Sequence, residues 1–87
     1  MSRIISAAVH TMFAYANYYA RMKNYKDSRE ALLWLIGMLQ GLKSTPDAVA
    51  YMGKVAAVCY AECAHFSQLL GEVQLVETYL HKAYSTA

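Results

Sequence analysis

Apolar residues recur along the chain at steps of three and four, the spacing that puts them on one face of a helix. In the first stretch Ile5, Ala8, Met12, Tyr15, Tyr19 and Met22 follow this rule, and in the second Leu32, Leu35, Leu39 and Leu42 do. The third run is the longest, with Val49, Met52, Ala56, Cys59, Cys63, Phe66 and Leu70; the fourth carries Val73, Val76, Leu80 and Ala83. No stretch alternates residue by residue, as a half-buried strand would. The marks between runs read as helix ends. Asn24 is placed to cap a helix with Asp27 in its positive first turn. Thr45-Pro46 reads as a cap followed by proline at the first helical position. Gly71 supplies the left-handed residue that ends one helix before Glu72 opens the next. The pattern predicts an all-α single domain over 1–87, with four antiparallel helices at about 3–23, 25–42, 46–70 and 72–86, because connections this short make neighbours antiparallel.

Two features within the helices stand out. Gly37 and Gly41 share a stripe of the second helix, and Gly53 interrupts the third. Glycine inside a helix costs about 1 kcal/mol against alanine, so these positions read as close helix approaches or, for Gly41, as the helix end. Tyr15 and Tyr19 share one face of the first helix while Tyr18 stands apart, and Trp34 and Met38 form a second stripe on the second helix beside its leucines. Aromatics on two faces of one helix do not all fit one small core.

Composition turns that observation into a constraint. The chain has 87 residues, 57% hydrophobic and 16% charged, with eight tyrosines. That excludes disorder, and a chain this short buries only about 60–65% of its unfolded surface. More apolar surface exists than one core hides, so part of it must meet a partner, self or foreign. Tyr and Trp suit that role, having large apolar area and a polar tip.

Charge adds a direction. The net charge is +2, too mild to imply nucleic acid by itself. Residues 1–46 carry Arg3, Arg21, Lys23, Lys26, Arg29 and Lys43 against Asp27 and Glu30, whereas residues 47–87 carry Lys54 and Lys82 against Asp47, Glu62, Glu72 and Glu77. A molecule polarised in this way is suited to head-to-tail association. The basic cluster Arg21, Lys23, Lys26 and Arg29, interleaved with Tyr18, Tyr19 and Tyr25, has the elements of a phosphate- and base-contacting patch. Asp27 and Glu30 halve its charge, which favours a solvated turn or an acidic protein partner over nucleic acid.

Cys59 and Cys63 lie four apart, on one helix face, where a disulfide has poor geometry. They read as buried apolar side chains of a protein in a reducing cytoplasm. A metal site with His65 or Glu62 lacks further ligands at the right spacing. A nucleophile paired with His10, His65 or His81 needs an accessible thiolate. No phosphate loop, nucleophile elbow or carboxylate pair accompanies them, so neither cofactor nor catalysis is expected. The charge-free run Ile4–Ala20 is too short and too polar for a membrane span. Arg3 and Ala14-Tyr15-Ala16 mimic an export signal, but His10 and Thr11 interrupt the apolar stretch.

The stretch Tyr60 to Val73, continued by Val76, Leu80 and Ala83, resembles a tetratricopeptide-type helical hairpin. The large residue falls on Tyr60, the small one on Ala64, the turn glycine on Gly71, and the following packing positions on Val76, Leu80 and Ala83. Met12, Ala16, Tyr19, Asn24-Tyr25, Ser28 and Leu32 resemble the same hairpin more loosely, 48 residues earlier, against a family period of about 34. The first two helices are also similar in length to the hairpin of microtubule-interacting-and-trafficking domains, which bind amphipathic helices. A plain four-helix bundle is the alternative architecture. The tetratricopeptide resemblance implies that the inner face of each first helix binds a partner peptide: His10, Phe13, Asn17 and Arg21 in one hairpin, and Ala61, His65, Gln68 and Leu69 in the other. With the exposed aromatic edge of Tyr18, Trp34 and Met38, these are the candidate partner-binding residues. The expected function is a non-enzymatic interaction module, an adaptor or small secretion-type chaperone that binds an amphipathic helix or apolar groove of a client. A small phage- or plasmid-type regulator that inhibits a host enzyme or transcription factor is a second reading, and a structural homo-oligomer a third.

Overall fold

A computed structural model describes residues 3–41 and 45–86. Its four helices are α1 (Arg3–Arg21), α2 (Tyr25–Gln40), α3 (Pro46–Leu69) and α4 (Val73–Thr86). The expected boundaries agree to within a few residues. Leu42, expected in the second stripe and at its helix end, lies outside the described residues.

The caps form as their chemistry dictates. Asp27 N–H donates to Asn24 Oδ1 at 3.4 Å, and Ala48 N–H donates to Thr45 Oγ1 at 3.3 Å ahead of Pro46. Gly71 is left-handed, with φ of 78°. The first turn is built the same way by a residue that reading the sequence passes over. Lys23 has φ of 60°, and Lys23 and Asn24 N–H donate to the Ala20 and Tyr19 carbonyls at 3.0 and 2.8 Å. At the second turn Gly71 and Glu72 N–H donate to the Gln68 and Ser67 carbonyls at 3.0 and 2.9 Å. Both turns are thus the same left-handed helix stop, 48 residues apart.

Each helix packs on its neighbours in sequence. α1 meets α2, α2 meets α3 and α3 meets α4, while the backbones of non-neighbours stay apart. The result is an open stack measuring 38 × 26 × 15 Å, not a closed bundle. Successive helices are antiparallel: Ser28 at the start of α2 meets Ala16 late in α1, Arg29 meets Ser67 near the end of α3, and Tyr79 of α4 stacks on Tyr60.

Open stacking explains where the expected stripes fail. An end helix has one neighbour and therefore one buried face, which on α1 is Val9 and Ala16 with Ile5, Met12 and Ala20 beside them. Tyr15 and Met22, expected in that stripe, are exposed. Ala16 wins the position because it is small: Ser28 Oγ donates to the Ala16 carbonyl at 2.8 Å, bringing the two backbones close. On α4 Val76, Tyr79 and Ala83 are half-buried, with Tyr79 stacked on Tyr60 of α3, while Val73 and Leu80, expected in the core, are exposed. Val49 and Leu70 at the ends of the α3 stripe are exposed as well. The middle of the stack follows the pattern: Leu32, Leu35, Leu39, Met52, Ala56, Cys59, Cys63 and Phe66 form the core. Gly37 has no neighbour where a side chain would stand, so close approach does not explain it, and Gly41 is the helix end. Gly53 does mark a close approach, with the Thr86 carbonyl 3.5 Å from where its Cβ would lie.

The two hairpins are joined by a buried arginine. Arg29 Nη1 donates to Ser67 Oγ at 2.9 Å and to Glu72 Oε2 at 3.0 Å, and Nη2 donates to Glu72 Oε1 at 3.4 Å. This overturns the expected place of Arg29 in an exposed basic patch. The hydrogen bond to Glu72 raises the Arg29 pKa, against desolvation that lowers it. Its Nε is buried without a partner, a standing cost of the position.

Arg29→Met should lower the unfolding free energy by about 2–3 kcal/mol, because it leaves Ser67 and Glu72 unpaired. Glu72→Gln should cost about 1 kcal/mol, since the side chain at 72 is partly exposed and retains an acceptor. Urea titrations followed by circular dichroism measure both. Lys23→Gly should instead stabilise by about 0.5–1 kcal/mol by relieving left-handed strain.

Candidate interaction surfaces

The folded chain offers grooves and bare helix faces as its candidate sites. α1 and α3 are both antiparallel to α2 and so run parallel to each other, with their backbones held apart. Between them lies a groove of about 330 Å³ lined by Val9, His10 and Phe13 of α1 and by Tyr51, Lys54, Val55 and Val58 of α3. Its walls are mostly apolar and its polar groups are an imidazole, an ammonium and a phenol, with no carboxylate among them. His10 and Phe13 of α1 are therefore brought together with α3 residues along this groove. Their α3 companions were missed by the sequence reading. Tyr51, Val55 and Val58 carry the signal, a second stripe at helical spacing beside the cysteine stripe.

Asn17 and Arg21 are exposed on α1, and Ala61, His65, Gln68 and Leu69 are exposed toward the end of α3. None of these lines the groove, although the parallel register of α1 and α3 continues toward them. His65 lies against Phe66, ring centroids 5.8 Å apart.

On the other flank of α1's buried stripe, Met12, Tyr15 and Tyr19 face Ala31 and Trp34 of α2 across an open hollow rimmed by Asp27 and Glu30. Trp34 is 58% exposed, so helix two, though central in the chain, is not buried all round. Tyr18 is also 58% exposed and sits edge-on against Tyr19. Met38 departs from the expected exposed stripe: it is half-buried against the core. Its neighbours Leu35 and Leu39 anchor that turn of α2 inward.

The outer side of α1 carries a further hollow over Thr11, Ala14, Tyr15 and Tyr18. α4 likewise exposes Val73, Leu80 and Tyr84, which with Glu77 form a single stripe at steps of four, three and four.

Chemistry at the cysteines follows from their burial. Both thiols are fully enclosed and free. Desolvation raises Cys59 to about 11 and Cys63 to about 12. Burial also raises Tyr79, with Arg29 opposing it. Among the described residues no group of three or more His, Cys, Asp or Glu is placed to hold a metal ion. No described helix is long and apolar enough to cross a membrane. Comparison with protein-family models, curated proteins and solved structures returned no match to this chain.

Because an unfolded thiol ionises near 9.0 and the folded ones near 11 and 12, the unfolded state sheds protons first as pH rises. The stability these two thiols contribute is therefore fully present below pH 9 and is lost through the window from 9 toward 12. Urea midpoints measured across that range should decline, and decline less steeply in the Cys59→Ala/Cys63→Ala variant. At neutral pH both thiols should resist alkylation in the folded protein and react in denaturant.

Proposed function

We propose that this protein is a non-enzymatic binding module, an adaptor or small chaperone that holds an amphipathic segment of another protein along α1 and α3. The observation that carries the reading is the α1–α3 groove, with aliphatic and aromatic walls and His10 and Lys54 among its polar groups. A helix-sized apolar face suits such walls, and acidic residues on the flanks of that face complement Lys54. The resemblance to tetratricopeptide hairpins at Ala16, Ser28, Tyr60, Ala64 and Gly71 supports the assignment, since first helices line the binding face in that family. Ala16, Ser28 and Ala64 are all buried, in keeping with the close packing the pattern implies.

The client is best sought by placing a photo-crosslinking residue at Val58 in the groove and, as a control, at Lys82. Lys82 lies over the Tyr60 ring, 5.6 Å from its centroid, away from the groove. Crosslinks from position 58 alone, mapping to an amphipathic segment with acidic flanks, are the expected result. Val58→Asp should weaken capture about tenfold or more, and Lys54→Glu should weaken it in a salt-dependent way. Val58 is 51% exposed, so the fold should tolerate the change. Undiminished capture by Val58→Asp would exclude the groove, and loss on Trp34→Ala alone would move the client to the α1–α2 hollow.

A further inference from the structure

We infer that the outer face of α4 and the outer face of α1 are two halves of one interface, through which copies of this chain stack head to tail. The inference rests on the 48-residue repeat and on what its internal junction already does. α2 docks on α3 along the stripe Tyr25, Arg29, Leu32 and Ile36. Tyr25 stacks on Phe66 with ring centroids 6.0 Å apart, Arg29 bonds to Ser67, and Leu32 and Ile36 are buried. Forty-eight residues on, the same stripe is Val73, Glu77, Leu80 and Tyr84 of α4. All four are exposed, Val73 at 73% and Tyr84 at 87%.

The receiving surface repeats too. On α3 the residues that meet α2 are Cys63, Phe66 and Ser67, with Cys59 on the same stripe. Their counterparts 48 residues earlier are Tyr15, Tyr18, Tyr19 and Thr11. Three of these four, Thr11, Tyr15 and Tyr18, line the hollow on the outer side of α1, together with Ala14. The rest of the repeat keeps the register: Ser28, Ala31 and Leu35 are buried, Ser28 on the Ala16 carbonyl of α1, and their counterparts Val76, Tyr79 and Ala83 are half-buried, Tyr79 stacked on Tyr60 of α3. α4 of one copy is therefore the structural equivalent of α2, and α1 of the next copy the equivalent of α3.

Charge fits the same pairing with its sign reversed. Inside the chain a cation on α2, Arg29, meets an anion just past the end of α3, Glu72. Between copies an anion on α4, Glu77, would face the end of α1, where Arg21 and Lys23 are exposed. α1 holds no acidic residue at all. Because the two faces differ, the contact is heterologous and builds a ring or a filament. It also supplies the third and later repeats that a two-hairpin stack lacks. These faces are distinct from the α1–α3 groove, so the client reading and the stacking inference stand or fall separately.

The test is complementation, read by light scattering on a sizing column over a wide range of concentration. Wild type should exceed the 9.7 kDa of one chain, increasingly so as concentration rises. Leu80→Asp and Tyr18→Asp should each be monomeric alone, and circular dichroism should show both helical, since both side chains are exposed. Mixed in equal amounts they should form a dimer and stop there, because each retains one intact face. A charge pair gives the same reading without touching the apolar contact: Glu77→Lys should weaken association about fivefold at low salt, and mixing it with Arg21→Glu/Lys23→Glu should restore the loss. A wild type that stays monomeric throughout, or single variants that associate as it does, would overturn the inference. So would a mixture of the two aspartate variants that never pairs, since that excludes unlike faces.

Discussion

Arg29 is the tie between the two halves of this protein. It sits on α2, is buried, and reaches Ser67 on α3 and Glu72 in the following turn. A guanidinium placed there must be paired, because burying it alone would cost several kcal/mol. Glu72 is held where it is needed by the turn itself, whose Glu72 N–H to Ser67 carbonyl bond closes the end of α3. Helix stop, ion pair and hairpin junction are thus one arrangement, and the relative placement of α2, α3 and α4 depends on it.

Around that tie the chain is a stack with two ends. Inner helices α2 and α3 have a neighbour on each side and supply most of the core. The end helices bury less, and α4 has no fully buried residue among those described. Small residues set the spacing: Ala16 and Ser28 allow α1 onto α2, and Ala64, 48 residues after Ala16, is buried beside Tyr60 in the second hairpin. The same construction leaves apolar surface at both ends and a groove where the parallel helices α1 and α3 fail to touch. How much of that apolar surplus stays exposed is therefore a consequence of architecture. A closed bundle of the same helices would have hidden more of it.

Much of the fold is legible in the residues, and the misses are instructive. Asn24, Thr45-Pro46 and Gly71 mark helix ends because caps and left-handed stops act through atoms a few residues away. Lys23 escapes notice because nothing about lysine announces a positive φ; only its place 48 residues before Gly71 does. Tyr15 and Leu80 read as core because helical period reveals that a stripe exists and not whether a neighbour covers it. Arg29 reads as part of a charged turn because its partners, Ser67 and Glu72, are about forty positions away. The groove is half legible: the hairpin resemblance points to His10 and Phe13, whereas Tyr51, Val55 and Val58 form a weaker stripe beside the cysteine one.

The sequence by itself determined four helices, their ends, the burial of both cysteines and an excess of apolar side chains. All of these are local or compositional, set by backbone geometry within a turn or by the number of methylene groups to be hidden. Tertiary structure alone decided that the helices form an open stack, which of two stripes on α1 and α4 faces inward, and that Arg29 is internal. Those outcomes depend on which surfaces meet across tens of residues, where small side chains admit a neighbouring backbone and a buried charge finds its partner.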